Sequence, residues 1–116
     1  MQRYCQLIRL RPERRDEYTE YHRDVWPTVL TTIEACNIRN YSIFLHEDLL
    51  IAYFEYHGSD FDADMRKMAA DSETQRWWSV MDPMQQRLPG VPPKGKWLDV
   101  PEVFHFDGAP VFGGKA

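Results

Sequence analysis

Residues 49–56 read Leu-Leu-Ile-Ala-Tyr-Phe-Glu-Tyr, a β-rich run in which two large aromatics, Tyr53 and Phe54, follow one another. Successive residues of a strand point to opposite faces, so a sheet built on this run needs cover on both sides. A second β-rich run, residues 40–45, precedes it across His46-Glu47-Asp48, and the pair reads as a hairpin. With only 116 residues the chain has material for one domain, expected over residues 1–107 with a tail at 108–116. Helices can cover one face of the sheet. A second copy packed sheet on sheet is the cheapest cover for the other.

The remaining segments supply those helices. Residues 4–11 alternate as a strand, with Cys5 and Leu7 on one side and Tyr4, Gln6, Ile8 and Leu10 on the other. Pro12 opens a charged helical segment that runs to about His22. Pro27 disfavours helical geometry at Trp26, so this helix bends or ends there. Trp26, Val29, Leu30, Ile33 and Cys36 then form a helical apolar face, with Asn37 as its cap. Ser59 is expected to cap a helix that turns Phe61, Met65, Met68 and Ala69 inward. Asp71-Ser72 begins another, with Thr74, Trp77, Trp78 and Met81 on one face. Residues 82–96 hold four prolines and two glycines and read as a long loop, of the kind that forms lids or packs on a neighbour. A last strand is expected at residues 102–106. The order β-α-(α)-β-β-α-α-β is that of a ferredoxin-like α+β sandwich with an antiparallel sheet.

Composition narrows the function. A formal charge of −4 argues against binding nucleic acid or an anionic membrane, both of which need a basic stripe. No apolar run approaches the roughly 20 residues that span a bilayer, and no signal-peptide core is present. Cys5 and Cys36 read as buried thiols in a reducing cytoplasm. Phosphate-loop, nucleophile-elbow and zinc motifs are missing, and His22, His46, His57 and His105 lie in four different elements, so no metal or other cofactor is expected. Acid–base chemistry or plain binding remains.

Tyr18 and His22 lie one helical turn apart on one face, which spacing alone leaves as either a solvated face or a pocket wall. Tyr41, beside Asn40 at the start of a strand, reads as a tyrosine at the core edge. The adjacent Trp77 and Trp78 point about 100° apart, so one packs inward while the other borders it. Core packing is the default for them. A stacking wall for the apolar face of a sugar ring is the alternative.

In order along the chain, Tyr18-x-x-x-His22, Val25-Trp26-Pro27, Asn40-Tyr41-Ser42-Ile43, Thr74-Gln75-Arg76-Trp77-Trp78 and Glu102-Val103-Phe104 resemble the L-rhamnose mutarotase family. The resemblance runs over residues 3–106. It implies a dimeric ferredoxin-like α+β barrel without metal that interconverts the anomers of a 6-deoxy-L-sugar, L-rhamnose or L-fucose. It also implies His22 as the proton donor, with Tyr18, Tyr41, Trp77 and Trp78 binding the sugar. The chain departs from the family pattern in having Arg23-Asp24-Val25 between His22 and Trp26, where Asn-Pro-Ile is usual, and in its longer proline loop. Two other readings share the fold: a cofactor-independent dimeric ferredoxin-like monooxygenase, and a non-catalytic sugar-binding module.

Overall fold

In the computed structural model, which describes residues 1–93 and 95–108, strand β1 (Gln2–Leu10) runs through the middle of an antiparallel sheet. On one side β1 pairs with β3 (Leu49–Tyr56), which pairs in turn with β2 (Ile38–His46). The other edge of β1 is shared by two short strands, β4 (Gln85–Gln86) opposite Arg9 and Leu10, and β5 (Leu98–Val100) opposite Cys5 to Leu7. Four helices complete the order: α1 (Arg15–Arg23), α2 (Pro27–Ala35), α3 (Phe61–Ala70) and α4 (Ser72–Met81). The α+β ferredoxin-like architecture expected from the order of elements is the one observed.

The two prolines act as expected. Pro12 starts a 3-10 turn that leads into α1, and Pro27 opens α2 while Trp26 is held extended at φ −57°, ψ 129°. The break separates two nine-residue helices that share one face of the sheet. Asn37 follows the end of α2 with a left-handed φ of 67°, a conformation that asparagine tolerates and β-branched residues do not.

Strand periodicity sorts the sheet into two faces. Ile8, Leu10, Leu50, Ala52, Phe54 and Tyr56 are all buried, alternate along β1 and β3, and lie under the helices. They divide into two clusters. Ile8, Leu10 and Leu50 pack with Tyr18, Val29, Trp77, Met81 and Met84. Ile38, Phe54 and Tyr56 pack with Tyr4, Phe61, Met65 and Met68. Each fully buried aliphatic of the first cluster contributes about 1.5–3 kcal/mol over its exposed state. At the second, the Tyr56 hydroxyl donates to Asp64 at 2.5 Å and Asn37 donates to the same oxygen at 3.0 Å, which ties β3 and the end of α2 to α3. The opposite face carries Cys5, Leu7, Ile51, Tyr53, Leu98 and Val100 in register, with Phe44 59% exposed.

The structure corrects several local expectations, among them Leu30, which is 50% exposed rather than part of the inward face of α2, and Cys5, which is half-buried rather than buried. The last strand is β5, not residues 102–106: Val103 and Phe104 are 95% and 80% exposed and unpaired. Pro101 explains the shift, because it has no N–H to extend the ladder from Val100. The proline segment is not loop throughout. Residues 82–84 form a 3-10 turn that buries Met84 completely, and β4 follows directly. Asp60, not Ser59, caps α3, since its carboxylate accepts from the Ala63 N–H at 3.1 Å. Ala69 faces solvent. Trp78 leaves the inward face of α4 that Thr74, Trp77 and Met81 occupy. The expected tail, apart from Gly108, lies outside the described residues.

Candidate active site

His22 sits in the last turn of α1, where its position depends on the residue one turn back. The Nδ1–H of the imidazole donates to the Tyr18 carbonyl at 2.8 Å, and the ring lies over the Tyr18 ring with centroids 4.2 Å apart. That hydrogen bond fixes the tautomer, so Nε2 carries the lone pair. Trp77 presses edge-on against the imidazole at 5.4 Å. Burial pushes the His22 pKa below its ordinary value, opposed in part by the carbonyl bond, so the ring is neutral near pH 7.

Trp77 is 7% exposed and is itself braced edge-on by Tyr21 and Trp26, at 6.0 and 5.1 Å. Arg76 lies over the Trp26 ring at 5.3 Å. The aromatic set therefore holds His22 from the side while Tyr18 holds it from below. Trp78, 39% exposed, stands outside this set, so the adjacent tryptophans divide into one that packs and one that borders.

Tyr18 is 4% exposed within the first core cluster. Its phenol oxygen accepts a hydrogen bond from the Gln85 side chain at 3.4 Å. Burial holds its pKa far above the ordinary tyrosine value, although the Gln85 bond works the other way, and the nearby Tyr41 raises it further. Tyr41 is re-aimed by a β-bulge. Arg39 pairs with Glu55 and Ser42 with Tyr53, so β2 spends three steps where β3 spends two. Asn40, at φ 51°, absorbs the extra residue and donates to Glu55 at 2.7 Å. The result turns the Tyr41 ring toward Phe54 on the helix side of the sheet, at 5.6 Å. Tyr41 keeps 43% of its surface open, yet burial raises its pKa to about 12.

Of the five residues singled out from the sequence, the fold thus brings Tyr18 and Trp77 against His22, while Tyr41 packs on Phe54 of the second cluster and Trp78 is partly exposed. Gln85 was not foreseen, because it lies in the segment read as loop. A shallow hollow of about 210 Å³ along α1 is lined by Glu17, Glu20, Tyr21 and Asp24 and touches this cluster only through Tyr21. Among the described residues no three His, Cys, Asp or Glu side chains gather as a metal ion would need. The arrangement can take up one proton, at Nε2 of His22, and can offer two neutral phenols as donors.

Residues 3–106 match the L-rhamnose mutarotase family model. The chain is 32% identical to an L-rhamnose mutarotase of Bacillus subtilis over 92% of its own length and all of the relative's. It is 34% identical to one of Listeria monocytogenes, over 90% of this chain and 98% of that protein. An L-fucose mutarotase of Xanthomonas campestris is 31% identical, over 90% of this chain and 87% of that one. A crystal structure of an L-rhamnose mutarotase from Formosa agariphila superposes with a TM-score of 0.73 at 22% identity, covering 92% of this chain and all of that one, and shares the fold. With the family model spanning nearly every described residue, the chain belongs to the L-rhamnose mutarotase family of isomerases.

Proposed function

We propose that the protein interconverts the α and β anomers of a 6-deoxy-L-hexose, L-rhamnose or L-fucose, with His22 moving the proton and Tyr18, Tyr41, Trp77 and Trp78 binding the sugar. The observation that carries the mechanism is the neutral His22 imidazole, tethered at Nδ1 and free at Nε2. Nε2 takes the proton of the anomeric hydroxyl as the bond from C1 to the ring oxygen breaks. The imidazolium then returns that proton to the ring oxygen, which is bonded to the same carbon and within reach of the same nitrogen. Rotation about C1–C2 and the reverse steps close the other anomer. Proton transfer by a positioned group contributes about 10²–10⁴-fold, enough for a reaction that water already supports.

The remaining side chains fit that task. Tyr18 and Tyr41 stay protonated and donate hydrogen bonds to sugar oxygens. Trp77 braces His22, and the half-open Trp78 indole offers a face for the sugar to stack on. The enzyme works as a homodimer, in which a second copy covers the open apolar face of the sheet. It acts in the cytoplasm, where Cys5 and Cys36, both free, remain reduced. No helix among the described residues is long and apolar enough to cross a membrane.

The test is exchange NMR on the anomeric protons of L-rhamnose and L-fucose with catalytic amounts of protein. Exchange between α and β signals is expected, with a loss of at least about a hundredfold in His22→Ala. Equal exchange in the variant would remove His22 from the mechanism, and no exchange with either sugar would remove the mutarotase reading.

A further inference from the structure

We propose that Gln85 is a positioning residue for this reaction, one that holds the phenol oxygen of Tyr18 from behind so that the Tyr18 O–H is left to donate to the sugar.

Among the described residues Gln85 is the one buried amide side chain, 8% exposed. Burying a carboxamide is costly unless it is hydrogen-bonded, and a core position opposite Leu10 would be filled more cheaply by an aliphatic. Its backbone is fixed. β4 pairs with β1 at this point, and Arg11 donates to the Met84 carbonyl at 2.8 Å immediately before it. From that anchored position the Nε2–H reaches across the core to the Tyr18 oxygen at 3.4 Å.

The direction of the bond gives it a consequence. A phenol has one proton and an oxygen that accepts. With the acceptor side occupied by an amide N–H, the proton of Tyr18 points away from Gln85, and among the described residues no protein group accepts it. Tyr18 feels the Tyr41 phenol electrostatically, and the His22 imidazole is stacked on its ring. In this scheme a sugar oxygen held at His22 accepts this proton. Gln85 never touches the sugar in this scheme. It acts through Tyr18.

The inference rests on the mutarotase reading, and the test separates the two. Gln85→Glu and Gln85→Met keep the size of the side chain. An ionised carboxylate can only accept, so in Gln85→Glu it draws the Tyr18 proton to itself. Exchange NMR should then show kcat/KM down roughly tenfold or more at about pH 8, with KM raised because Tyr18 no longer donates to the bound sugar, and the ratio to wild type recovering as the new carboxyl is protonated at lower pH. Gln85→Met, which neither donates nor withdraws the proton, should lose a smaller and pH-independent factor of kcat/KM at unchanged melting temperature. A residue that merely fills the core would lose melting temperature and activity together in Gln85→Glu and would leave kcat/KM at the wild-type value in Gln85→Met. That outcome, or wild-type kcat/KM in both, overturns the role of Gln85 while wild-type exchange keeps the mutarotase standing. If Gln85→Glu does not fold, full kcat/KM in Gln85→Met is enough to overturn it. An inert wild type overturns both readings.

Discussion

His22 donates from Nδ1 to a carbonyl four residues back, so its chemistry is confined to Nε2, and its buried ring favours the neutral form. The sign of the pH dependence follows. A base acts when unprotonated, so kcat/KM should be flat through neutral pH and fall as pH drops through a value below the ordinary histidine pKa of about 6.5. Exchange rates measured across pH, with the spontaneous reaction subtracted, check this, and a rate that grows toward acid would oppose the base role. The spacing of Tyr18 and His22 was visible in the sequence, since i and i+4 share a helix face whatever surrounds them. What decided between a solvated face and a packed one was Trp77, which arrives from another helix. Asn40 is a harder case. Its left-handed backbone re-aims Tyr41, but only the mismatch in pairing between β2 and β3 makes the extra residue a bulge.

Elements with strong local signals formed where the sequence put them. Pro12, Pro27 and Asn37 bound the first two helices through backbone geometry alone, which needs no knowledge of the fold. Asp71 likewise caps α4 by accepting from the N–H and hydroxyl of Thr74, both at 2.9 Å. The proline segment failed the same test because its prolines are unevenly placed. Pro83 lies within the 3-10 turn at residues 82–84, and only beyond β4 does the chain become loop. Met84 is fully buried in that turn, among Tyr18, Trp77 and Met81. Met84→Ala should therefore destabilise by about 2–5 kcal/mol, whereas Pro93→Ala, on the exposed part of the same segment, should change stability by less than about 0.5 kcal/mol. Denaturant titration of both variants measures the contrast. Equal, small effects would return the whole segment to the status of a loop.

For the whole molecule, the consecutive Tyr53 and Phe54 forecast a sheet with two faces to cover, and the single chain covers one. Phe54 lies at 6% exposure under the helices, whereas Phe44, on the other face, is 59% exposed beside Leu7, Ile51, Tyr53, Leu98 and Val100. The strand expected at residues 102–106 adds to this. Having no place in its own sheet after Pro101, it leaves Val103, Phe104 and Phe106 at 95%, 80% and 66% exposure in a chain whose longest dimension is 53 Å. A monomer rarely leaves so many large apolar side chains in water. A two-fold pair of copies would bring the open face of each sheet against the other. Phe44→Glu places a charge in the middle of that contact without touching the helix-covered core. It should shift the protein from dimer to monomer in light scattering while leaving the far-ultraviolet circular dichroism unchanged. A variant that stays dimeric would move the interface off this face, and a wild type that is monomeric at micromolar concentration would leave the face uncovered.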